Sequence, residues 1–285
     1  MKPAPFDYVV AASSDEAVRY LGEVEDKTAK IIAGGQSLVP LLALRLARPS
    51  LLVDINRIPG LATIERLSKT SVRIGALVSH RMLCEQMAFP LLSEAASWIG
   101  HEAIRTRGTI GGSLAHSDPA AELPVVAVAV GMVVEVISPL SRRTIGAEDL
   151  FVGTLENSLA DDEMIVAVEA RLPEHWAFAE YARRHGDFGL VTVAAAEVDG
   201  KIRIALGGVG NKPLRALESE ALVNDANPLD DRLAEKAARA AASAFTPNGD
   251  FHGSASYRGG LVEELVGRVL RQLASSRQSA SESRS

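Results

Sequence analysis

This sequence predicts an α+β fold, with a small α/β unit at its start and a C-terminal unit of antiparallel sheet plus helices. Three observations predict it. Short apolar runs alternate with helical stretches from Val9 to Ile55. A meander of runs at Phe178–Arg183, Val191–Val198 and Lys201–Leu206 comes later, with the hairpin signal Asp199-Gly200 between the last two. The chain also has 285 residues, 47% of them apolar and 23% charged, which is enough core for more than one unit.

Val9-Val10 reads as a short strand. Ser13 then caps a helix, with Glu16 at the capping-box position. Lys30–Ala33 is a buried strand, Leu38–Leu46 a helix stopped by Pro49, and Leu51–Ile55 another buried strand, completing β-α-β-α-β. Ala62–Arg66 and Ser71–Ile74 are short β candidates. Ser79–Met87 and Leu91–Ile99 read as helices. Ala120–Ala129 is a buried helix despite Pro124, because a first turn tolerates proline. Val133–Ile137 and Arg143–Ile145 form a hairpin around Ser138-Pro139, and Met164–Leu172 is a strand. After the meander, Leu233–Phe245 and Leu261–Leu273 are helices. The expected divisions are residues 1–58, 59–175 and 176–274, with a Ser-rich disordered tail over 275–285.

Composition excludes several classes. The net charge of −6 and the lack of a basic stripe argue against nucleic acid. Cys84, the single cysteine, leaves no disulfide and no iron–sulfur ligand set, and reads as a half-buried helix residue. The six histidines show no metal-binding spacing. The N-terminus has no signal-peptide pattern, and Val125–Val134 is too short to span a bilayer, so a cytoplasmic protein is expected. No nucleophile elbow or Ser-His-Asp context occurs, no catalytic side chain can be singled out, and the chemistry is better assigned to a cofactor.

Two glycine pairs carry that assignment. The first lies in Ala33-Gly34-Gly35-Gln36-Ser37-Leu38, between a strand and a helix. It reads either as a nest of N–H groups for a diphosphate or as an ordinary turn needing a positive φ. It is neither a P-loop nor GxGxxG. The second, Thr109-Ile110-Gly111-Gly112-Ser113, offers backbone donors and two hydroxyls, and Asp118 and Glu122 follow. Those two acids read either as acceptors for ribose hydroxyls or as ordinary helix-start residues. Arg105 and Arg107 flank this motif as phosphate partners or as solvated cations, while His101 and His116 stay open between structural and functional roles. Gly207–Gly210 reads as a strand exit, and Tyr181, Arg183, Arg184 and Asp187 form a polar cluster around Gly186.

AGGQSL and TIGGSLAHSDPAAELP, together with Val53-Asp54-Ile55, Arg73–Leu77, Ile104-Arg105 and Arg183–Phe188, resemble the FAD-binding medium subunit of the molybdenum hydroxylases, the xanthine dehydrogenase and aerobic carbon monoxide dehydrogenase family. The resemblance runs from about Phe6 to Leu273. It implies a two-subdomain FAD-binding fold of the PCMH type followed by the C-terminal α+β domain. It implies FAD diphosphate binding by Ala33, Gly34, Gly35, Gln36, Ser37 and Leu38 and by Thr109, Ile110, Gly111, Gly112 and Ser113. Glu122 is then on the adenosine side, and Asp118 lies in the same flavin-lining segment. It further implies a small partner subunit with two 2Fe–2S clusters, a large partner with a molybdopterin cofactor, and an external electron acceptor. Ser113 stands where many relatives carry Asn, and no Lys lies near Leu190, which favours an acceptor other than NAD: a quinone, a small carrier or dioxygen. A stand-alone flavin oxidoreductase and a non-catalytic nucleotide-binding module are the competing readings.

Overall fold

The computed structural model of the chain describes residues 2–25, 28–184, 186–226 and 228–282. Its first unit comprises β1 (Asp7–Val10), α1 (Ser14–Glu23), β2 (Lys30–Ile32), α2 (Leu38–Ala43) and β3 (Leu51–Asp54). The strands form a parallel sheet of order β1-β3-β2. Ser13 caps α1 by accepting from the Glu16 amide, and Glu16 reaches back to the Ala12 amide at 2.7 Å. Ala17, Val18 and Leu21 of α1 pack on the sheet with Val53 and Ile55. The helix expected to reach Leu46 stops at Ala43, because Arg45 takes φ +58 and turns the chain.

The second unit holds β4 (Ile64–Arg66), β5 (Ser71–Gly75), α3 (His80–Glu85), α4 (Pro90–Trp98), α5 (Glu102–Arg105), α6 (Ile110–His116), α7 (Glu122–Val130), β6 (Val133–Ile137), β7 (Arg142–Gly146), α8 (Ala147–Leu150), β8 (Phe151–Gly153), β9 (Glu156–Asn157) and β10 (Met164–Arg171). Its main sheet is antiparallel, of order β4-β5-β10-β6-β7. Every residue of α7 is buried, as befits a helix that is apolar all round. Pro124 sits in its first turn, where a missing N–H costs nothing.

The third unit is β11 (His175–Tyr181), β12 (Val191–Val198), β13 (Lys201–Gly207), β14 (Leu214–Arg215), α9 (Leu217–Asn224), α10 (Asp231–Ala244) and α11 (Ala255–Glu282). Its antiparallel sheet, β11-β12-β13-β14, is covered on both sides: α7 packs on β12 and β13, and α11 packs on β11 and β12. Ala194, Ala196 and Ala205 therefore share a core with α7, while Val193, Ala195 and Ile204 share one with α10 and α11. Small side chains along β12 let the helices approach from either face.

The disordered tail expected from residue 275 is corrected: α11 continues to Glu282. Its polar residues have fixed partners. The Ser276 hydroxyl meets His175 Nδ1 at 3.0 Å, Arg277 pairs with Glu197 at 2.6 Å, and the Ser275 and Ser279 hydroxyls bond back to carbonyls one turn earlier. Residues 283–285 and His185 lie outside the described residues.

Candidate cofactor site

The two glycine motifs meet in space. A Cβ built on Gly34 would stand 1.9 Å from the Arg107 carbonyl oxygen, so the first loop lies directly against the backbone that leads into the second motif. Only a residue without a side chain permits that approach. Gly35 has φ +73, which L side chains rarely adopt, and it turns the chain from β2 into α2.

The amides of this loop are uncommitted. Among the described residues, Val39 N donates to the Gly35 carbonyl and Leu41 N to that of Ser37, whereas the amides of Gly34, Gly35, Gln36, Ser37 and Leu38 have no acceptor within the chain. The Gln36 side chain folds back onto the Gly34 carbonyl at 3.2 Å. Gln36 and Ser37 are exposed, and Ala33, Gly34, Gly35 and Leu38 half-buried. Five consecutive free N–H groups in an open loop are the donor set of an anion nest.

The second motif is different, and the expectation that it offers backbone donors is corrected. It is the first turn of α6, not a free turn. Thr109 is the N-cap and its hydroxyl accepts from the Gly112 amide at 3.1 Å. Ile110 N donates to the Val78 carbonyl, Gly111 N to that of Ala76 and Ser113 N to that of Thr109. A Cβ on Gly111 would come within 2.7 Å of the Ala76 Cβ. Gly111 is thus a packing glycine that seats α6 on the segment after β5. Gly112 is exposed and Ser113 half-buried.

The flanking arginines divide. Arg105 is spent on the Ile99 and Gly100 carbonyls, at 3.0 and 2.8 Å, and closes the end of α4. Arg107, whose backbone carbonyl lies against Gly34, is exposed, and its guanidinium has no hydrogen-bond or ion-pair partner among the described residues. Beneath it, His80 is wedged under Gly108, and burial pushes the imidazole down to about 4, leaving it neutral at pH 7.

Asp118 accepts from the Ala120 amide at 2.9 Å and shapes the turn before α7, which starts two residues later than expected, at Glu122. Glu122 is 4% exposed and lies at the seam with the third unit. Burial, reinforced by the Asp118 charge, raises its carboxyl to about 7. Opposite it, Glu180 of β11 is raised to about 8, by burial first and then by Glu122. Thr192 donates to one Glu180 oxygen at 3.2 Å, and the other has no partner. Sequence reasoning missed Glu180, because only the packing of the third unit's sheet against α7 brings the two acids together. It also missed that Gly186 lies against the second unit: a Cβ on it would stand 2.5 Å from the His101 ring. His116 ends α6, and Cys84 lies half-buried on α3 with its thiol pushed up by burial.

Residues 4–174 match the family described as the FAD binding domain in molybdopterin dehydrogenase, and residues 176–273 match the CO dehydrogenase flavoprotein C-terminal domain. The chain is 45% identical over 283 residues to the 6-hydroxypseudooxynicotine dehydrogenase complex subunit alpha of Paenarthrobacter nicotinovorans, covering 95% of each chain. It is 43% identical to the nicotine 6-hydroxylase medium subunit of the same organism, over 95% of this chain and 98% of that one. Among solved structures, a chain of quinoline 2-oxidoreductase from Pseudomonas putida 86 superposes with a TM-score of 0.90 at 36% identity, over 96% of this chain and 99% of that one. No helix among the described residues is long and apolar enough to cross a membrane. With an open amide nest closed against a glycine-seated helix, and with both parts of its length matched, this chain belongs to the medium, FAD-binding subunits of the molybdenum hydroxylases and is an oxidoreductase subunit.

Proposed function

We propose that this chain binds FAD with its diphosphate in the Gly34–Leu38 loop and serves as the electron-transfer subunit of a cytoplasmic heteromeric complex. In this reading a small partner with two 2Fe–2S clusters supplies electrons drawn from a large partner with a molybdopterin cofactor, and an external acceptor takes them away. The observation that carries the reading is the run of five amides that find no acceptor among the described residues. Arg107 adds a positive charge, and the exposed backbone of Gly112 lets the ligand lie close. Thr109, Ile110 and Gly111 act by holding α6 in place, and Ser113 offers a hydroxyl. FAD supplies the exchange between one-electron donors and two-electron acceptors. Glu122 and Asp118 border the segment that lines the cofactor.

The test is affinity purification of the tagged chain from its native cells, read by visible spectrum, metal content and co-purifying chains. The reading expects flavin, iron, molybdenum and two partner chains. Flavin with neither metal nor partner, and turnover by the chain alone, would move the function to a stand-alone flavin oxidoreductase.

A further inference from the structure

The free amides of Gly34–Leu38 raise a physical question. A loop whose N–H groups bond to nothing among the described residues is not held in shape through them, so other contacts must set it. One such contact lies at Ala33, the residue that leads into it. Asn56 Nδ2 donates to the Ala33 carbonyl at 2.9 Å. Asn56 is itself fixed: its amide and its Nδ2 both donate to Asp54 Oδ1, at 2.8 and 2.7 Å. The other Asp54 oxygen accepts from the Tyr8 hydroxyl. Burial works against the Asp54 carboxylate, yet the hydrogen bonds from Tyr8 and Asn56 outweigh it and hold its pKa below the ordinary value. The path runs from β1 through the end of β3 to the residue after β2, along the carboxyl edge of the parallel sheet, where ligands of such sheets collect.

We propose that Asn56, oriented by Asp54, is a positioning residue for the cofactor, fixing the start of the diphosphate loop so that its amides stay fanned toward the ligand. The inference rests on the FAD reading above. Asn56 is exposed and supports no core, so its truncation acts on the loop and leaves the fold in place.

The test is titration of the full chain, freed of cofactor, with FAD and separately with ADP, which carries the diphosphate without the flavin. Thermal unfolding of the cofactor-free chain is measured alongside. Asn56→Ala is expected to weaken FAD and ADP by the same factor, about fivefold to tenfold, the worth of one orienting hydrogen bond. Its unfolding midpoint is expected to stay within about 2 °C of the parent. Asn56→Asp, an isostere, is expected to weaken both ligands further, because its carboxylate would face the Ala33 carbonyl and Asp54. Asp54→Asn keeps an acceptor for both Asn56 donors and is expected to bind within about twofold of the parent. Normal binding by Asn56→Ala and Asn56→Asp would overturn the inference, as would a loss of binding that merely tracks lost stability. Failure of the parent chain to bind FAD would instead overturn the cofactor reading, and this inference with it.

Discussion

Gly34-Gly35 and Gly111-Gly112 look alike in the sequence and do different work in the structure. At Gly34-Gly35 the missing side chains let the loop lie on the Arg107 carbonyl and adopt a positive φ, and the amides that follow are left for a ligand. At Gly111-Gly112 the amides are already bonded inside the chain, and Gly111 brings α6 against Ala76. A glycine pair therefore marks close approach of backbone, but not what approaches. The distinction lies in the carbonyls of Val78 and Ala76, far away in sequence, and in Thr109, which together consume the donors of the second motif and leave those of the first untouched.

Alanine at each motif separates these roles. Gly34→Ala forces a methyl into the Arg107 carbonyl, so the two segments must part. Loss of FAD retention is expected, with destabilisation of about 3 kcal/mol or more, read by flavin content and denaturant unfolding. Gly111→Ala pushes against Ala76 and should cost about 1–3 kcal/mol, while the folded fraction still binds FAD. Equal loss of flavin from the folded fractions of both variants would erase the contrast.

The segment that follows the second motif gives the next effect. Glu180 is raised to about 8 and Glu122 to about 7, so the folded chain holds protons that the unfolded chain, with ordinary carboxyls, has released. The stabilising contribution of the protonated acids is fully present below the ordinary value of 4.5 and is lost as pH rises through about 7 to 8. Stability should therefore fall from pH 5 to pH 8.5. Glu180→Gln should flatten that fall and stabilise the chain by about 2 kcal/mol at the alkaline end. Unfolding midpoints across that range check it, and an unchanged pH slope in the variant would remove the buried acid pair from the account.

Arg107→Ala gives the smallest effect, sharpening the first motif's role as an anion site. FAD affinity is expected to drop about threefold to tenfold at low salt, and less at 0.5 M salt, where exposed charges are screened. Arg105→Ala should instead lower stability, since its guanidinium closes α4.

Much of the frame is legible in the residues. The alternation up to Ile55, the apolar run of α7 and the Asp199-Gly200 hairpin each signal their element through periodicity or turn chemistry. Two of the helices that escape that logic show why. α6 hides because its first turn holds two glycines, which propensity reads as a break, and it exists because Thr109 caps it and Ala76 and Val78 receive its amides. α9 (Leu217–Asn224) has no clear apolar stripe, and it is set by Glu220, which accepts from the Ile204 amide and pairs with Arg215. Within the site, the residue types of the first loop are legible as a nest. Asn56 leaves only a faint signal, the Asp-x-Asn after a strand, and Glu180 leaves none, since its neighbour Glu122 comes from another unit.

The most direct test of the central claim is amide hydrogen exchange, residue by residue, in the chain with and without FAD. The account predicts fast exchange at Gly34–Leu38 in the cofactor-free chain and strong protection when FAD binds, with Ile110–Ser113 protected in both states. Protection gained at Ile110–Ser113 while Gly34–Leu38 stays unchanged would contradict it and move the diphosphate to the second motif.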